Sequence, residues 1–170
     1  MPINSVQVYL QQLINGLPMP YALPALAAYI TPPDPNVEAD IPTAYVWPSD
    51  GEESRDAQKG GTVPRNTGPG TPSGWKNIEH SIDVWLVWFG QDDDPLADTV
   101  FPGIVDEVMQ ALRTSPERPL AVDPRTGQQS WLLDIGEKMS YRISLRALSD
   151  QAYNRYDGLV TVPVIEVFQA

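Results

Sequence analysis

The chain has 170 residues, a net charge of −11, one histidine and no cysteine. A single domain spanning residues 1–170 is the simplest expectation, and a chain of this size buries roughly 70% of its unfolded surface. The lack of cysteine excludes disulfides, thiolate metal sites and a cysteine nucleophile. The acidic charge disfavours tight wrapping of nucleic acid because it repels phosphates. That charge serves either solubility alone or a surface that must not stick to DNA while working close to it.

The N-terminus carries no sign of a targeting segment. The opening stretch MPINSVQVYL lacks the basic region and the long apolar region of a signal peptide. No apolar run approaches the ~20 residues that span a bilayer. We therefore expect a soluble protein that is made in a cytosol.

The first elements are a helix and a strand. Ile3 to Asn15 has apolar residues at helical spacing, Asn4 or Ser5 is placed to cap the helix, and Gly16 to end it. The following prolines stop the helix, and residues 23–30 have room only for a short helical turn or a strand. Residues 41–47 (IPTAYVW) are rich in β-formers and predict a strand, at whose start or edge Pro42 fits.

Residues 48–73 are dominated by Gly, Pro, Ser, Thr and charge, which predicts a long loop without a core of its own. It is either a flexible surface loop or an arm that becomes ordered against a neighbouring subunit. If it is such an arm, Val63, Pro64 and Arg65 are expected to form its most structured point. Loops this long within a compact domain are more often functional than accidental.

The longest strand-like run, GWKNIEHSIDVWLVWFG, occupies residues 74–90. Polar residues on both of its faces lie in the first half, whereas both faces are apolar from Val84 onwards. This pattern predicts a central strand with one end near water and the other end covered on both sides.

An acidic turn and a second helix follow. The acids of the turn are Asp92, Asp93, Asp94 and Asp98. They do not fit an EF-hand, because Ala97 stands at the glycine position and Gly103 at the closing glutamate position. Acids before a helix also favour its N-terminal dipole. The helix is predicted from Pro102 to Arg113, with Pro102 in its first turn. Leu96, Val100 and Phe101 are predicted to form a preceding turn of the same or an abutting helix.

The C-terminal part predicts strands over residues 128–135, 138–148 and 159–168. The second has the cleanest alternation in the chain, with Met139, Tyr141, Ile143, Leu145 and Ala147 facing inward. Arg142 and Arg146 lie on its outward face. In the third strand, Pro163 predicts an edge position or a bulge, and an apolar edge would favour pairing with another subunit.

Catalytic and cofactor motifs are absent. His80, the single histidine, predicts a surface or half-buried side chain more than a metal ligand, and Ser81 beside it points to the opposite face of the strand, so the two form no nucleophile–base pair. There is no GxSxG, no GxGxxG and no Walker loop. We therefore expect a protein that is not an enzyme and holds no cofactor or metal.

The order of elements resembles a known family. The stretches that carry the resemblance are GWKNIEHSIDVWLVW, the acidic turn with FPGIVDEVMQALR, DPRTGQQSWLLDIGEKMSYRISLRAL, and the terminal YDGLVTVPVIEVFQA. Together with the N-terminal helix, they are similar to the tail terminator (tail-completion) proteins of long-tailed bacteriophages, especially those of actinobacteria. The likeness covers most of residues 1–15 and 40–170.

The resemblance implies an α+β fold in which a twisted, mainly antiparallel sheet packs against the N-terminal and central helices. It implies a ring, usually hexameric, at the head-proximal end of the tail tube. Such a ring ends tube polymerisation and joins the tail to the head connector, while genomic DNA passes through without being read. The expected partners are further copies of the chain, the tail tube protein and the connector protein, and the expected location is the virion, after assembly in the host cytoplasm.

On this hypothesis, six residues are predicted to contact a neighbouring subunit. They are Arg65, Arg142, Arg146, Asp92, Asp93 and Asp94. The alternatives are another head–tail connector or neck protein of similar fold and, in a different class, a carbohydrate-binding module that uses exposed tryptophans. The chain has five tryptophans, Trp47, Trp75, Trp85, Trp88 and Trp131.

Overall fold

The computed structural model describes residues 3–31, 41–54, 75–91, 97–116, 118–147 and 153–169. These residues form two helices and seven strands. The elements are α1 (Ile3–Ile14), β1 (Ala27–Tyr29), β2 (Thr43–Ser54), β3 (Trp75–Gln91), α2 (Ala97–Arg113), β4 (Leu120–Val122), β5 (Gln129–Leu133), β6 (Ser140–Ala147) and β7 (Tyr153–Gln169). The prediction of a mainly antiparallel α+β domain with two helices is confirmed.

One curled sheet contains all seven strands, in the order β1-β2-β3-β7-β5-β4, with β6 also paired to β7. Every pair is antiparallel except β1 with β2. The strands β3 and β7 each have 17 residues and pair along their whole length, from Trp75 opposite Gln169 to Gln91 opposite Tyr153. These two strands are the centre of the fold, as the sequence predicts for β3.

Both helices contribute apolar residues to one buried core with the sheet. The helical members include Leu10 and Ile14 of α1 and Phe101 and Leu112 of α2, all 0% exposed. Their partners on the sheet are alternate residues of β2, β3 and β7, as the two-residue period of a strand requires. These are Ala44, Val46, Ile82, Val84, Leu86, Val160, Val162 and Val164.

Helix α1 covers the sheet edge formed by β1. The Gln11 side chain donates to the Ala28 carbonyl at 2.8 Å, and the Ala28 N–H donates to Asn15 Oδ1 at 3.0 Å. Gly16 ends the helix with φ of 79° and donates its N–H to the Leu26 carbonyl. Because side chains of α1 occupy its backbone groups, this short edge strand is shielded from pairing with another chain.

Several boundaries differ from the sequence predictions, among them the start of β7, which lies at Tyr153 and not at Leu159. Strand β2 continues to Ser54, through residues predicted to be loop, because β3 pairs with it along this length and a bulge between Pro48 and Asp50 absorbs the irregularity. The rest of the predicted loop lies outside the described residues. Helix α2 begins at Ala97, so Pro102 lies in its second turn and not its first.

The predicted edge position of Pro163 is wrong. Strand β7 is central, with β3 on one side and both β5 and β6 on the other. Strand β6 pairs with β7 as far as Thr161, and β5 begins to pair at Ile165. Pro163 falls between these two ladders, where its missing N–H breaks no hydrogen bond to β5 or to β6.

Candidate interaction surface

The face of the sheet opposite the helices is partly uncovered, and aromatic and aliphatic side chains lie on it. Register places Tyr45, Trp85, Leu159 and Arg142 side by side across β2, β3, β7 and β6. Trp85 is 41% exposed and Leu159 39%. Trp47, two residues beyond Tyr45 on the same strand, is 52% exposed. We call Trp47, Trp85 and Leu159 the open-face patch. The expectation that both faces of β3 are covered from Val84 onwards is therefore wrong.

Polar contacts hold Trp85 in place. Its indole Nε1 donates to Asp157 Oδ1 at 3.1 Å, and Arg155 donates to both oxygens of the same carboxylate. The Arg155 guanidinium lies 5.8 Å from the centre of the Trp85 ring. Cation–π attraction and a charge-assisted hydrogen bond thus fix the orientation of a side chain whose ring remains accessible. A rigid exposed aromatic side chain loses little entropy on binding and makes a good anchor for a partner.

A second exposed apolar group lies on the hairpin of β4 and β5. Its members are Leu120, Val122 and Trp131. An acidic band separates it from the open-face patch, since Glu52 and Glu79 stand opposite each other on β2 and β3 and are both exposed. Like charges directly across a ladder cost stability, so this pair has no evident role in the folding of the single chain.

The six predicted contact residues divide into three groups. Arg142 is exposed on β6, beside Leu159 of the open-face patch. Arg146 lies on β6 with its backbone opposite Arg155, and its side chain is outside the described residues. Arg65, Asp92, Asp93 and Asp94 lie outside the described residues altogether. Of the six, Arg142 is the one whose side chain is described, and it lies at the exposed apolar surface.

His80 is buried, which corrects the prediction of a surface or half-buried side chain. It is 4% exposed, and its Nε2 lies 2.8 Å from Oε2 of Glu166, which is 0% exposed. The other oxygen of Glu166 accepts a hydrogen bond from the Ser5 hydroxyl at 2.9 Å. Ser5 therefore lies inside α1 and links it to β7, where the sequence predicts a cap. The only signal for this cluster in the sequence is one acidic residue inside the apolar run LVTVPVIEVF.

The chemistry of this buried cluster is structural in form. A carboxylate can only accept, so His80 Nε2 donates to Glu166, and Ser5 donates to Glu166 and not to the imidazole. This arrangement lacks the hydroxyl-to-imidazole contact by which a base activates a nucleophile. His80 Nδ1 has no partner among the described residues, and Gly51 lies beside it, where an added Cβ would stand 3.6 Å away.

The side chains of β6 that are predicted to face inward are exposed where the structure describes them. Tyr141 is 62% exposed and Ile143 is exposed as well, although the alternation predicts both to face inward. They line an open groove of about 410 Å³ with Pro102, Val105 and Met109 of α2. The alternation is real, but α2 does not reach far enough across β6 to cover these side chains.

Among the described ranges, no three His, Asp or Glu side chains are grouped as metal ligands. No helix within those ranges is long and apolar enough to cross a membrane. Comparison of the chain with protein-family models and with curated proteins finds no match.

Proposed function

We propose that the chain is a structural subunit of a homo-oligomeric ring at the head-proximal end of a phage tail tube. In this role, the ring ends tube polymerisation and joins the tail to the head connector. The observation that carries the proposal is the open-face patch, with Arg142 next to it. The resemblance of the sequence to tail terminator proteins supplies the biological setting.

The size of the patch supports a protein partner. A large aromatic residue presents up to about 250 Å², so the exposed fractions of Trp47, Trp85 and Leu159 sum to roughly 300 Å². A patch of this size is at the lower end of the largest patches on monomeric proteins, which are often functional. A standard interface buries about 800 Å² per partner, so the patch would form the centre of a larger contact.

The charge supports a role near DNA without binding it. The net charge of the chain is −11, which makes its surface acidic overall. Such a surface repels phosphates, and a channel through which DNA slides needs this property.

The first test is the oligomeric state in solution. Light scattering coupled to size-exclusion chromatography over a concentration series should give a defined multiple of the chain mass. The variant Trp47→Ser/Trp85→Ser should shift the distribution towards monomer while keeping a cooperative thermal transition. The matched control is Tyr21→Ser, which removes an aromatic side chain of similar exposure (56%) from the loop that contacts α2. A strict monomer at every concentration would refute the ring.

The second test is genetic. A phage that lacks this protein should produce over-long or unattached tails when viewed by electron microscopy. Tails of normal length that fail only to join heads would favour another connector or neck protein instead.

A carbohydrate-binding module is the second candidate, because Trp47, Trp85 and Trp131 are all about half exposed. Aromatic platforms of this kind stack on sugar rings. Glycan-array binding together with sugar-dependent quenching of tryptophan fluorescence, lost in Trp85→Ser, would favour this function over the ring.

A further inference from the structure

Besides the short end strands β1 and β4, two longer strand edges in the described part of the sheet have no neighbouring strand. Strand β6 pairs with β7 on one side only. Strand β1 pairs with β2 at Thr43, Ala44 and Tyr45 only, and Gln7 Nε2 of α1 donates to the Val46 carbonyl at 2.7 Å, which leaves β2 from Trp47 to Ser54 with β3 as its single neighbour. Each free edge is about eight residues long. Exposed edges of this length invite pairing with another chain unless something covers them.

The two edges carry opposite charge. On β2, Asp50 and Glu52 are both exposed and lie in register with Ser81 and Glu79 on the open face. On β6, Arg142 is exposed on the same face, because it stands in register with Leu159. Arg142 has no ion-pair partner among the described residues. An acidic edge and a basic edge within one chain are complementary between two copies, and like edges would repel.

We propose that β6 of one copy pairs antiparallel with the free part of β2 in the next copy, with Arg142 opposite Glu52. This inference rests on the proposed ring and specifies how the ring closes. The contact is head to tail, because two different surfaces meet, and such contacts generate rings when the rotation closes. The strand directions agree, since β6 and β2 run in opposite senses within the one sheet.

The offset between the two edges agrees with a closed ring. Arg142 is level with Trp85 of β3, and Glu52 is level with Glu79, six residues along the same strand. At about 3.3 Å per residue, that offset is about 20 Å, and four strands at about 4.8 Å span about 19 Å. The two lengths tilt the strands by about 45° to the ring axis, within the ~35–45° that closed sheets adopt. If Asp50 and not Glu52 stands opposite Arg142, the offset along the strand is four residues, and the tilt of the strands is about 35°.

With six copies, the number that the resemblance implies, these lengths give a sheet about 50 Å across. Two features of the β2 edge affect the pairing. Pro48 has no N–H and a bulge follows it, so a regular ladder can begin only at Asp50. The Gly51 N–H bonds the carboxylate of Asp50 at 2.7 Å. Pairing would replace that local bond with one to the neighbouring strand, and Glu52 keeps its role as the charged partner of Arg142.

Cysteine cross-linking tests the pairing directly, because the chain has no cysteine of its own. The variants Arg142→Cys/Glu52→Cys and Arg142→Cys/Asp50→Cys, oxidised with diamide, should give a ladder of covalent oligomers on a non-reducing gel. The control Arg142→Cys/Glu107→Cys places the second thiol on an exposed position of α2 and should give no ladder. A disulfide needs Cα atoms within about 7 Å, so the ladder reports strand pairing and not mere proximity.

A charge exchange tests the proposed register. Arg142→Glu should weaken association at least tenfold, and Arg142→Glu/Glu52→Arg should recover most of it. If light scattering shows oligomers but neither cysteine pair cross-links above the control, the edge pairing is wrong and the ring remains. If no oligomer forms at any concentration, the proposed ring fails, and the pairing fails with it.

Discussion

Replacing Glu166 by alanine tests the buried cluster of Ser5, His80 and Glu166. The substitution removes the carboxylate that accepts hydrogen bonds from both the Ser5 hydroxyl and His80 Nε2, which are buried. Leaving His80 Nε2 unsatisfied costs about 1–3 kcal/mol, and breaking a buried pair by removing one partner costs about 3–5 kcal/mol. We therefore expect Glu166→Ala to lower the free energy of unfolding by about 3–5 kcal/mol.

Two further variants separate hydrogen bonding from packing. Glu166→Gln keeps one acceptor oxygen, so its cost should be about 1–2 kcal/mol. The triple variant Ser5→Ala/His80→Leu/Glu166→Leu removes every polar group of the cluster at once and should cost less than Glu166→Ala alone. Urea unfolding followed by tryptophan fluorescence, at one protein concentration because association adds stability, measures all three. A cost below about 1 kcal/mol for Glu166→Ala would refute the buried hydrogen bonds.

Three other substitutions have expected outcomes. Gly158→Ala should cost about 1–3 kcal/mol in urea unfolding, because its Cβ would stand 3.1 Å from Cζ of Phe101; an unchanged midpoint would contradict this close packing. Tyr141→Ser should change the free energy of unfolding by less than about 0.5 kcal/mol, because Tyr141 is exposed. Val160→Ala, at the buried position opposite it on β7, should cost about 2 kcal/mol. Similar costs for the two variants would mean that Tyr141 is buried, as the alternation predicts. The Arg125 backbone N–H lowers the pKa of Asp123 in the folded state, so Asp123 stabilises the fold above its unfolded pKa and loses that effect as the pH falls through its folded pKa. Unfolding of Asp123→Asn measured below about pH 4 should therefore depend less on pH than that of the wild type, and equal slopes would contradict the shift.

The sequence correctly predicts those elements whose own residue pattern is enough to show how they are placed in the fold. Strand β3 is found to within a residue at each end, because a polar start followed by a long apolar run leaves few alternatives to a central strand. Helix α1 is found because its apolar spacing and Gly16 agree. In these cases local pattern and tertiary position favour the same structure, so a single sequence is enough.

The failures concern residues whose environment depends on distant segments. The alternation in β6 predicts which residues share a face, but it cannot show that α2 stops short of Tyr141. Pro163 leads to the prediction of an edge strand, because the gap between β5 and β6 that accommodates it exists only in the assembled sheet and cannot be seen in the sequence. His80 finds its partner Glu166 86 residues away in the chain, so no local window contains both.

The fold places an acidic part and a basic part of the sequence on different strands of the sheet. No Lys or Arg precedes residue 55, so β2 is built entirely from a stretch whose only charges are acidic. Strand β6 carries Arg142 and Arg146 and no acidic residue. In the described part of the sheet, β6 and the distal part of β2 each have an edge without a neighbouring strand, so the uneven charge along the chain becomes a separation of charge between two edges. Charge spread for solubility alone has no need of this separation, whereas head-to-tail assembly of identical subunits does.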